Sequence, residues 1–210
     1  MLDCLTADRV TALQAFRDLF SGDVLRPGDE VSIGQVTLMF TDLKGSTALY
    51  ERIGDAAAYH LVRDHFAFLA EQVRVHEGAI VKTIGDAVMA AFADPVDAVK
   101  AALAIQGRVA RFNADHAVKG GVAIAIKLGL HKGPCIAVTL NERLDYFGGT
   151  VNMAARLQGR SVGGDIILSD ALMVEPEVKA LLAGKGLVEE SAVIKGYEEP
   201  VPYYRLPAAA

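Results

Sequence analysis

A chain of 210 residues, 52% hydrophobic and 22% charged, has the length of one ordinary domain and the balance of a packed globular protein rather than a disordered tail. Its net charge of -5 excludes a global basic field for nucleic acid or an anionic membrane surface, so any phosphate must be met locally. Cys4 and Cys135, far apart, give neither a disulfide framework nor a zinc spacing and point to a reducing, cytoplasmic setting.

In chain order, Val10, Leu13, Phe16 and Phe20 recur at helical spacing and predict one amphipathic helix over Ala7 to Phe20, broken by Gly22, Pro27 and Gly28. Residues 1–33 are therefore expected to be a helix and linker, either capping the domain or transmitting a signal from an upstream regulatory domain, with the main domain over 34–210. Val36–Phe40 reads as a strand. Ala56–His76 reads as a helix, with Leu61, Val62, Phe66, Leu69 and Val73 at three- and four-residue steps. Ala79–Ile84 and Ala87–Phe92 are strands joined by Gly85-Asp86, which leaves room only for a tight turn. Pro95 opens a second long helix, to about His116. Val122–Leu130 and Cys135–Thr139 read as a second hairpin, and Val151–Gln158 as a further helix. The apolar runs Ala87–Ala93 and Val122–Ile126 fall far short of the roughly 20 residues of a spanning helix, and Asp3, Asp8 and Arg9 spoil a signal peptide, so no membrane insertion is expected. Strand, helix, strand, strand, helix, strand is the ferredoxin-like split βαβ order of an α+β fold, which leaves function open.

Several residues break these patterns in ways that suggest chemistry. Asp42 ends the first strand and Asp86 sits in the tight turn; if those strands are neighbours, two carboxylates meet at one edge, as a hard divalent cation requires. Singly, each is also explained as a helix cap or a turn residue. Gly45, Ser46 and Thr47 form a short loop opening a helix, where backbone amides can receive phosphate, although capping by Ser46 or Thr47 explains it equally. Lys82 interrupts a strand on the face expected for Ile80 and Ile84; a functional site or an edge-protecting lysine accounts for it. Asn152 and Arg156, four apart, project from one helix face as an amide and a guanidinium suited to an anion. The five histidines show no triad or metal spacing and read as structural. Gly163-Gly164-Asp165 superficially suggests a cyclic-dinucleotide synthase signature, but Ile166-Ile167 follows, and the tripeptide reads as a turn before a strand.

Phe40-Thr41-Asp42-Leu43-Lys44-Gly45-Ser46-Thr47, Lys82-Thr83-Ile84-Gly85-Asp86 and the segment Asp145 to Arg156 together resemble, in order and spacing, the class III adenylate and guanylate cyclases, over about Val36 to Arg205. The resemblance implies a ferredoxin-like βαββαβ core with extra C-terminal strands, and residues 34–210 as the catalytic domain. It implies that Asp42, Asp86 and the Leu43 carbonyl hold two Mg2+ or Mn2+ ions, that Lys82 and Asp145 read adenine, and that Asn152 holds the ribose. Arg156 would then stabilise the transition state, and Lys195, in Ile194-Lys195-Gly196-Tyr197, would contact the triphosphate of ATP. It further implies a homodimer whose sites take metal aspartates from one subunit and the other groups from its partner. Departures are Ser46 where many members have Phe, Gly149 where Asn or Asp is frequent, and Pro134 after His131-Lys132-Gly133, where some members carry an arginine for phosphate. The alternative is a catalytically weak or inactive nucleotide-binding regulatory module; such modules usually lose a metal aspartate or the Asn/Arg pair, and this chain keeps all four.

Overall fold

Along Val36 to Phe40 side chains alternate between two faces, and in the computed structural model, which describes residues 6–20, 25, 26, 28–116 and 123–208, both faces are buried. Cys4, Pro27 and Val122 lie outside the described residues. The strand is β1 (Glu30–Leu43), longer than its apolar centre, and it begins before the boundary expected at residue 34. Around it stand β2 (Ala79–Ile84), β3 (Ala87–Phe92), β4 (Ile126–Leu140), β5 (Arg143–Phe147), β6 (Ile166–Ser169), β7 (Val188–Val193) and β8 (Pro200–Leu206), in the order β2-β3-β1-β4-β6-β8-β7 with β5 paired to β4. The first four form the ferredoxin-like antiparallel core, and β6, β8 and β7 extend it. The helices are α1 (Ala7–Thr11), α2 (Gln14–Phe20), α3 (Ser46–Ile53), α4 (Asp55–Val75), α5 (Pro95–Asp115), α6 (Gly149–Gln158), α7 (Asp170–Met173) and α8 (Pro176–Leu182). One sheet face packs Met39, Val88 and Leu128 against Leu69, Val99 and Ile105 of α4 and α5. The other buries Leu38, Phe40 and Met89 with Leu144, Tyr146 and Ala154, closed by Phe16 of α2. No helix of the described residues is long and apolar enough to cross a membrane.

Expectations from local pattern are corrected at two places. The helix expected over Ala7 to Phe20 is two helices, because the Thr11 carbonyl, which a continuous helix would offer to the Ala15 amide, accepts from Arg17 Nε at 2.6 Å. The helix that the Gly45-Ser46-Thr47 loop opens is α3, as expected, but it is short and ends at Gly54 (φ 81°), where the separate helix α4 begins one residue before the expected Ala56. Lys132-Gly133-Pro134 is not a hairpin turn: β4 runs straight through it, held by pairing with β1 on both sides of an irregularity between Ile33 and Val36. The hairpin lies later, at Asn141 and Glu142, both at positive φ, and pairs β4 with β5. Asp165 serves as a turn residue, as its sequence context suggests: it accepts from the amides of Val162 and Gly163 and pairs with Arg205 of β8, tying the loop to the added strands.

Candidate active site

The pairing of Thr41 with Val88 puts the end of β1 beside the β2–β3 turn, so Asp42 and Asp86 approach each other. Burial first, and then the Asp86 charge, hold the Asp42 carboxyl above its ordinary value, while Lys127, opposite Asp42 on β4, pulls the other way. Among the described residues Oδ2 of Asp86 is buried without a well-formed hydrogen bond. Two half-buried carboxylates facing one another, one with an orphaned oxygen, suit a divalent cation, and with no third acidic, histidine or cysteine ligand clustered among the described residues, coordination would be left open for water and phosphate oxygens. The Leu43 side chain is buried in the core, which leaves only its backbone to serve such a site.

Three side chains that the apolar spacing of their helices conceals surround this pair. Tyr50 on α3 buries its hydroxyl beside Ser46 and Asp86, out of good hydrogen-bond geometry with either among the described residues, its pKa pushed up to about 12 by burial and then by the Asp86 charge. His65 on α4, whose spacing in sequence suggests only a structural role, is fully buried against the Asp86 backbone; burial pushes it down to about 4, so it stays neutral there. Gln158, at the end of α6, places its amide beside Asp42. Gly45 adopts φ 68° at the start of α3, and no side chain caps this helix, so the following amides are open; capping by Ser46 or Thr47 is not what the loop does.

A second cluster lies on the sheet face behind β1. Lys82 does not share a face with Ile80, as simple alternation predicts: the β2–β3 register shifts between Ile80 and Lys82, leaving Val81 as an extra residue. Ile80 thus faces Ala90 and the core under α4 and α5, whereas Lys82 faces Met89 and the opposite side. There Lys82 Nζ donates to Asp145 Oδ2 at 2.5 Å, with Asp145 buried. β2 is an edge strand as well, so the lysine sits where edge protection also places one.

α6 presents Asn152 to solvent and leaves Arg156 half-buried, with its Nη1 3.3 Å from where a Cβ on Gly196 would lie; the exposed Lys195 is on the same turn. The helix is set by close approach. The Thr150 hydroxyl donates to the Pro134 carbonyl at 2.5 Å, and a Cβ on Gly129 of β4 would lie 2.1 Å from the Gln158 nitrogen. Gly129→Ala is therefore expected to push α6 off the sheet, costing about 1–3 kcal/mol. Thermal melting would show the loss, and any activity dependent on Asn152 and Arg156 would fall with it. Lys132 is paired with Glu175 at 2.5 Å. Two clefts of about 690 and 670 Å³ lie along α5, lined by other residues.

Residues 29–189 match the family model described as adenylate and guanylate cyclase catalytic domain. The adenylate cyclase of Lachancea kluyveri is 31% identical over 199 residues, 85% of this chain but 11% of that protein. Retinal guanylyl cyclase 1 of Homo sapiens is 28% identical over 192 residues, 80% of this chain and 17% of that protein. This chain thus spans a small part of those relatives. Among solved structures, an adenylate cyclase of Trypanosoma brucei in its monomeric state superposes with a TM-score of 0.72 at 26% identity, covering 82% of this chain and 89% of that one.

Proposed function

We propose that this chain, which belongs to the adenylate and guanylate cyclase catalytic domain family, converts ATP to 3′,5′-cyclic AMP and pyrophosphate at sites shared by two copies of itself. The observation that carries the cyclase reading is the meeting of Asp42 and Asp86 at one sheet edge, with a buried carboxylate oxygen left unpartnered. Two Mg2+ or Mn2+ ions held by these carboxylates and the Leu43 carbonyl would supply acidification of the 3′-hydroxyl and neutralisation of the triphosphate.

The protein's own groups account for the remaining requirements. Asn152 orients the ribose, so that the 3′-oxygen lies in line with the α-phosphorus and the leaving pyrophosphate. Arg156, one turn on, donates to the phosphoryl oxygens as charge accumulates on them. Lys195, on the turn beside Arg156, and the open amides after Gly45 take phosphate oxygens. The fixed donor and acceptor of Lys82 and Asp145 match adenine, whose ring nitrogen accepts and whose amino group donates; guanine presents the reverse order at that edge. The second copy is assigned from the resemblance to the family, in which the metal carboxylates of one subunit face the Asn and Arg of its partner; Asn152 is exposed here and free to meet a nucleotide held between two chains, which supplies the enclosing cleft such a site needs.

The test is cyclic nucleotide formed by the purified chain from ATP and from GTP, with Mg2+ and with Mn2+. Cyclic AMP in excess is expected; no product from either, or preference for GTP, overturns the reading. Replacing Lys82 and Asp145 together with alanine should lower the ATP-to-GTP ratio of kcat/KM at least about tenfold, since mispaired polar groups at a base edge cost roughly 1–3 kcal/mol each. An unchanged ratio would mean that these residues do not read the base.

A further inference from the structure

The N-terminal helix pair buries a charge that folding alone does not call for. Arg17 is 5% exposed, and among the described residues Nη2 of its guanidinium has no hydrogen-bond partner and the contacts it makes are to neutral groups. Removing a guanidinium from water is unfavourable unless its donors are met, and the contacts that meet them point to what the residue is placed to hold. Nε donates to the Thr11 carbonyl at 2.6 Å and Nη1 to the Leu144 carbonyl at 2.8 Å, while Cζ lies 4.9 Å from the centre of the Tyr146 ring. Leu144 and Tyr146 are the two chain neighbours of Asp145. The grip is closed on the far side, where the Tyr146 hydroxyl donates to Thr11 Oγ1 at 2.9 Å. The Tyr146 amide in turn donates to Asp145 Oδ1 at 2.8 Å, so the carboxylate's orientation depends on the backbone that Arg17 clamps.

The same helix pair reaches the other member of the cluster. Gln14 Oε1 accepts from the Ile80 amide at 2.7 Å, immediately before Val81, whose bulge turns Lys82 onto the face of Asp145. α1 and α2 therefore hold, from one side, two segments that are remote in sequence and that carry the two charges of one ion pair.

We infer that α1–α2 is a positioning element for nucleotide-base selection, with Arg17 fixing Asp145 and Gln14 fixing the bulge that aims Lys82. This rests on the reading of Lys82 and Asp145 as the base contacts. Discrimination between purines needs a donor and an acceptor at fixed positions, and loosening α1–α2 frees both together. Selectivity, more than turnover, then follows the seating of this helix pair.

The experiment uses the full chain with Arg17→Met, which keeps an apolar stem and drops both carbonyl bonds, and Gln14→Ala, at a half-buried position. In Arg17→Met the ATP-to-GTP ratio of kcat/KM should fall about tenfold, mainly through a higher KM for ATP, because a buried charged donor is lost from the β5 backbone. Gln14→Ala should shift the ratio in the same direction by a smaller factor, and Arg17→Lys, unable to bridge both carbonyls, should lie between wild type and Arg17→Met. Hydrogen exchange should quicken at residues 80–84 and 143–147 and stay unchanged at 38–43. A ratio within about twofold of wild type in both variants, or equal losses for ATP and GTP, overturns the inference. If Arg17→Met does not fold, Gln14→Ala decides by the same criterion. If the wild-type chain forms no cyclic nucleotide, the cyclase reading fails separately, and the dissociation constants of fluorescent ATP and GTP analogues become the readout. A fall in their ratio then supports the positioning role; an unchanged ratio, or no nucleotide binding by the wild type, overturns it.

Discussion

Asp42→Asn and Asp86→Asn are each expected to reduce cyclic AMP formation roughly a thousandfold or more, the rate equivalent of several kcal/mol of transition-state stabilisation. The fold should not suffer in Asp42→Asn. Burial and the Asp86 charge raise the Asp42 pKa in the folded protein above its unfolded value, so the ionised carboxylate is a cost to folding. That cost is present in full above the raised pKa and disappears as pH falls below the unfolded value of 3.8. At pH 7 the metal-free Asp42→Asn protein should therefore melt at or above the wild-type temperature, and the two should converge toward pH 4. Added Mn2+ should raise the wild-type melting temperature, by preferential binding to the folded state, and leave both variants nearly unmoved. Near-wild-type activity in either folded variant would sink the assignment of these carboxylates, and a large fall in the metal-free stability of Asp42→Asn would sink the account of its strained environment.

What the sequence disclosed about this site was governed by range. β2 and β3 could be bounded to the residue because Gly85-Asp86 and the flanking apolar runs are local signals, and the Pro95 helix start is another. β4 is not legible locally because Gly133-Pro134 looks like a turn, while its extended course is imposed by pairing with β1 about a hundred residues away in sequence. The bulge at Val81 is likewise a matter of register against β3, so strict alternation put Ile80 and Lys82 on one face when they lie on opposite ones. Tyr50, His65 and Gln158 left no trace, since each sits in an ordinary amphipathic helix and becomes notable only when the carboxylates are packed against it. The helix break after Thr11 follows the same rule: its cause is Arg17, a charged residue that composition alone assigns to solvent. Side chains that act through distant partners were hidden, and those inside short glycine-punctuated motifs were visible.

The proposed division of labour between two chains predicts an outcome that no single-chain site shares. If Asp42 serves one site and Arg156 of the same chain serves the other, an Asp42→Asn homodimer and an Arg156→Ala homodimer each carry a lesion in both sites, and both should be inactive. A mixed dimer distributes the lesions unevenly: one site collects both, and its counterpart receives an intact Asp42 from one chain and an intact Arg156 from the other. Mixing the two inactive proteins should restore activity to as much as about half of the wild-type value per mixed dimer, given two independent sites related by two-fold symmetry. Recovery should rise with incubation time at the rate of subunit exchange, and should fall on dilution below the dimer dissociation constant, where an intrachain site would keep working. Differently tagged chains pulled down together establish that exchange has occurred. Continued inactivity in such verified mixed dimers would mean that Asp42 and Arg156 act within one chain or that the two sites are coupled, and the shared-site mechanism would fall in this form.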